Sequence, residues 1–184
     1  KKPGLQHKYR QTGLLLLTDV CGGICRFCFR KRLFMDNEKR ETVKDVSEGI
    51  DYIREHKEIT DVLLTGGDPL TLDTSRIEPV LRRLREIDHV NIIRIGSKML
   101  AYNPYRILND PDLCSVLSRY SIPEKRIYLM AHFNHPRELT DVSARAAEEL
   151  RKAGVIIVSQ TPILNGINSE PEIFSELFRK LSFA

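Results

Sequence analysis

Three cysteines stand close together in the stretch CGGICRFC, at positions Cys21, Cys25 and Cys28. A tight group of thiols favours a metal site, and four cysteine thiolates would complete a [4Fe–4S] cluster. The fourth cysteine, Cys114, lies far along the chain in a predicted helix and is interpreted as a small core residue. A cluster held by three cysteines keeps one iron open, and a substrate or cosubstrate could bind there.

Two other chemistries explain the cysteine loop less well. Tetrahedral zinc prefers ligands in two pairs, and the sequence has no second ligand group to accompany these cysteines. Three unligated thiols in one loop would be prone to oxidation. Gly22 and Gly23 would also let the backbone wrap closely around an inorganic core. The pattern therefore favours an iron–sulfur cluster, with a zinc-stabilised binding module or a non-enzymatic electron carrier as alternatives.

Strands and helices that alternate along the chain must position these cysteines. Short apolar runs predict strands at residues 13–18, 61–65, 91–95, 126–130 and 155–158. Helical spacing predicts helices at residues 42–57, 77–87, 111–120, 140–153 and 171–181, with N-caps at Thr42 and Thr140. Residues 1–12 are predicted to be a polar N-terminal segment, and 19–39 and 98–104 to be loops.

This alternation predicts an α/β fold. It implies right-handed crossovers and a parallel sheet, which a doubly wound sheet and a barrel would both satisfy. In either architecture, functional groups belong at the carboxyl ends of the strands. The unusual residues follow the five predicted strands in this order: the cysteines, the GGDP turn at 66–69, Gly96 and Ser97, the group His132, Asn134 and His135, and Gln160.

Composition argues against several classes of protein. The chain has 184 residues and a formal net charge of +4, without the long block of like charges that would indicate nucleic-acid binding. No apolar stretch is long enough for a membrane-spanning helix, and the first residues lack the apolar core of a signal peptide. The uneven cysteine spacing argues against a disulfide framework and predicts reduced thiols in the cytoplasm.

The cysteine spacing, with Phe27 just before the last cysteine, resembles that of the radical S-adenosylmethionine (SAM) enzymes. More closely, the chain resembles the lysine 2,3-aminomutase family, for example in the stretches DVLLTGGDPL and AHFNHPRELT. The similar segments keep the same order over nearly the whole chain, at residues 14–32, 61–70, 89–98, 131–140 and 160–168.

This resemblance implies a partial TIM-like (βα)6 barrel of the radical SAM type, with about five βα units in residues 13–184. It implies a [4Fe–4S] cluster on the three cysteines that binds SAM and cleaves it reductively to a 5′-deoxyadenosyl radical. In the family, that radical drives a pyridoxal phosphate-dependent migration of an amino group from C2 to C3 of an amino acid such as lysine. A radical SAM enzyme without pyridoxal phosphate is the alternative.

The resemblance also implies roles for individual residues. Gly66, Gly67 and Asp68 would hold the methionine amino group, because a carboxylate suits a positively charged ammonium. Arg30 would bind the substrate α-carboxylate through its planar guanidinium. Further contacts to SAM are implied for Phe27, Ser97, His132, Asn134 and Gln160. The expected partners are an amino-acid substrate, an electron donor such as flavodoxin or ferredoxin, and other copies in a homo-oligomer. Charge and hydropathy predict no nucleic acid and no membrane as partners.

The sequence departs from the family at its C-terminal side. The family's pyridoxal phosphate lysine, its acidic residues for the substrate side-chain amine and its zinc-binding cysteines lie beyond the fifth βα unit. No Schiff-base lysine is therefore assigned in this chain. A barrel that stops before its sixth strand leaves an open edge, so we expect the chain to be part of a longer protein. The choice among lysine, glutamate and a lysine side chain on another protein depends on residues outside it.

Overall fold

The computed structural model describes residues 2–31 and 45–183. Their strands form one six-stranded sheet in chain order. The strands are β1 (Leu5–Tyr9), β2 (Thr12–Thr18), β3 (Asp61–Gly66), β4 (Ile92–Ser97), β5 (Ile127–Ala131) and β6 (Ile156–Ser159). Strands β2 to β6 pair in parallel, and in the described residues β1 and β6 are not paired with each other. The predicted α/β partial barrel is confirmed.

The five predicted strands correspond to β2 to β6, with ends that differ by one or two residues. Strand β1 lies inside the predicted polar N-terminal segment and pairs antiparallel with β2. Its sequence, LQHKY, holds a single aliphatic residue, Leu5, which is buried opposite Leu15 while Lys8 and Tyr9 are exposed. An edge strand needs to bury little, so no apolar run marks it in the sequence.

Seven helices lie in the described residues, together with short 3₁₀ turns at Pro69–Thr71 and Pro136–Glu138. They are α1 (Ser47–Glu55), α2 (Thr74–Arg85), α3 (Met99–Tyr102), α4 (Tyr105–Leu108), α5 (Pro111–Tyr120), α6 (Asp141–Lys152) and α7 (Pro171–Phe183). The predicted cap Thr140 is confirmed, since its side chain accepts a hydrogen bond from the Ser143 amide at 3.2 Å. The other predicted cap, Thr42, lies outside the described residues.

Helix α3 replaces part of the loop predicted through Pro104, and α4 follows it, before the helix predicted from Pro111. Helices α3 and α4 have four residues each and are separated by Asn103 and Pro104. A single turn of helix is too short to show helical periodicity in a sequence. This error matters for the site, because α3 begins directly after the end of β4 and carries Tyr102 toward the cysteine loop.

The two faces of the sheet have different surroundings. Alternate strand residues such as Leu64, Ile95 and Leu129 are buried in one core with the helices, and Cys114 packs against this core as predicted. The intervening residues Leu63, Arg94 and Met130 line a cavity. Successive side chains of a strand point to opposite faces, so the same strands supply core and site. No helix in the part of the chain that the structure describes is long and apolar enough to cross a membrane.

Candidate active site

A cavity of about 690 Å³ lies at the carboxyl ends of strands β2 to β6. Each of these strand ends, or the loop after it, contributes to the lining, as expected for parallel α/β folds. The predicted site residues in the lining are Cys21, Cys25, Phe27, Cys28, Arg30, Gly66, Gly67, Asp68, Ser97, His132 and Gln160. Asn134 is the predicted residue that does not line it.

Backbone hydrogen bonds tie the glycine turn after β3 to the start of the cysteine loop. The Gly67 amide donates to the Thr18 carbonyl at 2.5 Å, and the Asp68 amide donates to the Val20 carbonyl at 2.8 Å. Gly66 has a φ of +113°, and a Cβ atom at Gly67 would lie 2.2 Å from the Val20 oxygen. Both positions require glycine because the two backbones approach too closely for a side chain. The turn thereby fixes the cysteine loop to the sheet.

The Asp68 carboxylate joins the ends of β3 and β4. Its Oδ1 accepts from the Leu70 amide at 3.0 Å, and its Oδ2 accepts from the Ser97 hydroxyl at 3.0 Å and the Lys98 amide at 2.7 Å. Burial raises the pKa of Asp68, and these three hydrogen bonds oppose the rise. A carboxylate has about four acceptor positions, so about one is left for a ligand. The contact with a methionine amino group stays a prediction.

All three cysteines of the loop are free thiols on the cavity wall. Desolvation of the sulfur, followed by the negative charges of Asp68, Cys28 and Cys25, raises the pKa of Cys21 to about 11. The residue as a whole is nevertheless exposed. A cationic metal centre would reverse this effect by stabilising the thiolates. Three thiols of one short loop on a single cavity wall fit an iron–sulfur core.

The spacing of possible ligands bears on the type of metal site. In the described residues, no three Cys, His, Asp or Glu side chains converge closely enough to hold a single metal ion. Sulfur ligands of one tetrahedral zinc ion would lie about 3.8 Å apart, from a zinc–sulfur distance of about 2.3 Å. Each cysteine of a [4Fe–4S] cluster binds a different iron atom, so the ligands of a cluster need no such convergence.

Arg30 lies on the cavity wall next to the end of β3. Its Nη1 donates to the Thr65 hydroxyl at 2.7 Å. Its guanidinium carbon lies 5.2 Å from the centre of the Phe29 ring, a cation–π distance. These contacts hold a positive charge beside the cysteine loop, and the predicted contact with a substrate carboxylate stays a prediction.

The loop after β5 brings unpartnered polar atoms close to the cysteine loop. The rings of Phe27 and His132 have centres 5.5 Å apart. Burial and the nearby Lys98 ammonium lower the pKa of His132, so its ring is neutral at pH 7. Within residues 2–31 and 45–183, Nε2 of His132 and Oδ1 of Asn134 are buried without a well-formed hydrogen bond, although the Asn134 side chain lies close enough to the His132 ring to oppose the lowering of its pKa. Such atoms are rare in native proteins, and a bound ligand would satisfy them.

Ser97 and Gln160 both lie at strand ends on the cavity wall but differ in what they offer a ligand. The Ser97 hydroxyl donates to Asp68 and accepts from the Met99 amide at 3.0 Å. Gln160 is anchored by its backbone amide, which donates to the Ala131 carbonyl at 2.8 Å, and its side chain is exposed. Ser97 therefore organises the turns around it, whereas Gln160 can reach a ligand.

Sequence reasoning misses the ion pair of Lys98 and Glu138. The Lys98 Nζ lies 2.9 Å from both carboxylate oxygens of Glu138 and donates to the His132 carbonyl at 3.3 Å. Glu138 also accepts from the Asn134 amide at 2.6 Å. The pair therefore joins the end of β4 to the loop after β5. The sequence feature that could have indicated this ion pair is a lysine directly after Ser97, close to the carboxyl end of a predicted strand.

A second missed ion pair lies on the cavity face of the sheet. Arg94 donates from Nε to Oδ1 of Asp61 at 2.9 Å and from Nη2 to Oδ2 at 2.5 Å. The Thr12 hydroxyl donates to the same carboxylate at 3.2 Å. These hydrogen bonds join Thr12 of β2, Asp61 of β3 and Arg94 of β4. A charged residue inside the apolar run NIIRI was the signal for it, because a strand buried on both faces would not carry an arginine.

Comparison with known proteins places these features in a family. Residues 15–177 match the Radical SAM superfamily. The chain is 56% identical over 184 residues to a protein of Aquifex aeolicus (strain VF5) named "Putative L-lysine 2,3-aminomutase", which covers 100% of this chain and 49% of that protein. It is 40% identical over 179 residues to the L-lysine 2,3-aminomutase of Clostridium subterminale, covering 97% of this chain and 42% of that enzyme.

A relative with another substrate in its name is nearly as similar to this chain as the Clostridium subterminale enzyme is. The chain is 37% identical over 177 residues to the glutamate 2,3-aminomutase of Clostridioides difficile (strain 630), covering 96% of this chain and 40% of that enzyme. The chain spans about half the length of the curated relatives that it matches.

The superfamily match includes the cysteine loop and every strand end that lines the cavity. Membership of this superfamily implies a [4Fe–4S] cluster and SAM as cofactors, which agrees with a loop of three thiols beside unpartnered polar atoms. The aminomutase relatives match the chain from one end to the other. The chain therefore belongs to the radical SAM superfamily and, within it, to the family of the lysine 2,3-aminomutases.

Proposed function

We propose that this chain is the radical-generating part of an amino-acid 2,3-aminomutase that acts on lysine with the help of pyridoxal phosphate. One observation carries the proposal: three cysteines of one loop share a single cavity with polar side chains from the four strand ends beyond it. Cys21, Cys25 and Cys28 would hold the [4Fe–4S] cluster. When bound, the cluster and SAM supply electron transfer and radical chemistry that side chains cannot provide.

The residues around the cysteine loop would bind and orient SAM. The remaining acceptor position of Asp68 suits the methionine ammonium. Nε2 of His132, which lies on the cavity wall, suits a hydroxyl group of the adenosyl part, which can both donate and accept hydrogen bonds. Asn134 does not line the cavity, and its side chain would act beside the His132 ring. Gln160 offers an exposed amide at the end of β6. These contacts would place the cosubstrate between the cysteine loop and the loop after β5.

The remaining wall would exclude water and bind the substrate. Leu63, Met130 and Phe27 supply apolar surface, which keeps water from a reactive radical. Arg30 would pair with the substrate α-carboxylate, held in place by Thr65. We assign the pyridoxal phosphate lysine to no residue of this chain. An external one-electron donor, such as flavodoxin or ferredoxin, completes the proposal.

Spectroscopy on the reconstituted protein tests the cluster, and an assay of the product tests the reaction. After anaerobic reconstitution with iron and sulfide and chemical reduction, we expect the electron paramagnetic resonance (EPR) signal of a [4Fe–4S]⁺ cluster, altered by added SAM because SAM binds the open iron. Cys28→Ser should abolish the signal, whereas Cys114→Ser should retain it because Cys114 packs against the core. With SAM, a reductant, pyridoxal phosphate and lysine, the protein that carries this chain should accumulate β-lysine.

Each contrary outcome has a different meaning. Zinc without sulfide, or a cluster signal that SAM leaves unchanged, would refute the radical SAM site. A cluster that responds to SAM while neither lysine nor glutamate is converted would favour a radical enzyme without pyridoxal phosphate. Conversion of glutamate but not of lysine would support the proposed aminomutase activity and show that the substrate is glutamate.

The role of Arg30 is tested by Arg30→Lys in the protein that carries this chain. We expect KM for the amino acid to rise roughly tenfold or more, because hydrogen bonds to charged groups contribute about 1.5–3 kcal/mol each and lysine cannot form the bidentate pair. The matched control is Arg26→Lys, the same change at an exposed position of the same loop. Equal KM values for the two variants would remove Arg30 from the substrate site.

A further inference from the structure

Tyr102, the last residue of helix α3, reaches the cysteine loop from the end of β4. Its hydroxyl oxygen lies 3.6 Å from Sγ of Cys25, within hydrogen-bond distance for a sulfur atom, and geometry alone allows either atom to be the donor. Tyr102 and Cys25 are 77 positions apart in the chain, so this contact exists only through the fold.

The glycines of the loop make room for the Tyr102 ring. A Cβ atom at Gly23 would lie 3.1 Å from Cε2 and 3.3 Å from Cζ of the ring, and a Cβ atom at Gly22 would lie 3.3 Å from its Cδ2. These distances are shorter than ordinary van der Waals contact. The two glycines therefore let the ring come close enough to the loop for its hydroxyl to reach the sulfur.

Lys98 also contacts the Tyr102 residue. The Tyr102 amide donates to the Lys98 carbonyl at 3.0 Å. The Lys98 Nζ, which is buried and paired with Glu138, lies 5.1 Å from the centre of the ring. A cation over an aromatic face is attracted by the ring electrons. The position of the hydroxyl is thus determined by the end of β4 as well as by the loop.

The chemistry of a ligated cysteine decides the direction of this hydrogen bond. A cysteine that binds a metal is a thiolate, which can only accept, so the phenol must donate. Hydrogen bonds to the sulfurs of a cluster are among the features that set its reduction potential, because they stabilise the added negative charge. Building on the proposed cluster site, we propose that Tyr102 is a positioning residue that donates to Cys25 and makes the cluster easier to reduce.

A redox titration of the reconstituted protein, followed by EPR, tests this inference. Tyr102→Phe keeps the ring against the glycines and removes the hydroxyl. The equilibrium constant for reduction of the cluster should therefore fall about tenfold, which for one electron lowers the reduction potential by about 59 mV. Iron and sulfide contents should not change. The matched control is Tyr105→Phe on the next helix, an exposed tyrosine whose substitution should leave the potential at the wild-type value.

A tyrosine analogue gives a change of opposite sign. Fluorotyrosine at position 102 is a stronger donor of similar size, so the cluster should become easier to reduce than in the wild type. If Tyr102→Phe loads a full cluster that titrates like the wild type, the inference is wrong while the proposed function stands. If Tyr102→Phe fails to load, the fluorotyrosine protein decides, and an unchanged potential there overturns the inference. A wild-type protein without any cluster would instead refute the proposed function.

Discussion

Replacing Gly67 by alanine is expected to lower the melting temperature by about 6–12 °C and to remove most of the iron–sulfur cluster. The new Cβ atom would lie 2.2 Å from the oxygen, 2.7 Å from the carbon and 2.9 Å from the nitrogen of Val20. These are backbone atoms, which cannot rotate away as the end of a side chain could. Overpacking that forces a backbone shift costs about 3 kcal/mol, and each kcal/mol shifts the melting temperature of a chain of this size by about 2–4 °C.

The loss of the cluster follows from which backbone must move. Val20 directly precedes Cys21, and its carbonyl accepts the hydrogen bond from Asp68 that ties the cysteine loop to the glycine turn. The matched control is Gly96→Ala at the end of the neighbouring strand, where the nearest atoms to a Cβ lie at 3.9 Å. Thermal unfolding and iron content after anaerobic reconstitution would be measured for both variants. Equal behaviour of the two would show that the close approach at Gly67 is dispensable.

The fold could be predicted where burial leaves a pattern in the sequence. Strands such as β3 and β5 are marked by continuous apolar runs, because they lie in the middle of a parallel sheet. Strand β1 is not marked, because an edge strand satisfies its backbone through β2 while most of its side chains face water. Helices α3 and α4 are not marked, because four residues cannot display a helical period.

The site could be predicted in its location but not in its internal contacts. The topology alone places the residues after each parallel strand at one edge of the sheet, which brought Cys21, Asp68 and Gln160 into one cavity. The partners of those residues depend on strand register and loop geometry. The bond from the Lys98 amide to Asp68, for example, joins positions 30 apart and leaves no trace in residue type. The charged side chains that hold the loops together were therefore missed.

Replacing Lys98 by methionine is expected to destabilise the protein by about 2–4 kcal/mol. Only 6% of Lys98 is exposed, and its ammonium is paired with both oxygens of Glu138. Breaking a buried ion pair costs about 3–5 kcal/mol because the partner charge stays buried, and the partial exposure of Glu138 reduces this somewhat. The loop after β5 should also shift, since Glu138 holds the Asn134 amide. Urea unfolding would measure the loss.

A double-mutant cycle separates the lost charge pairing from lost packing. Adding Glu138→Gln to Lys98→Met removes the unpaired charge but keeps an acceptor for the Asn134 amide, so part of the stability should return. Lys152→Met is the control, because Lys152 pairs with Glu148 and Glu149 on the exposed face of α6, where ion pairs contribute little. If the second substitution brought no recovery, the packing of the Lys98 chain would be what joins β4 to the loop after β5. Recovery would mean that pairing of the Lys98 and Glu138 charges, more than packing of the Lys98 chain, stabilises the junction between β4 and the loop after β5.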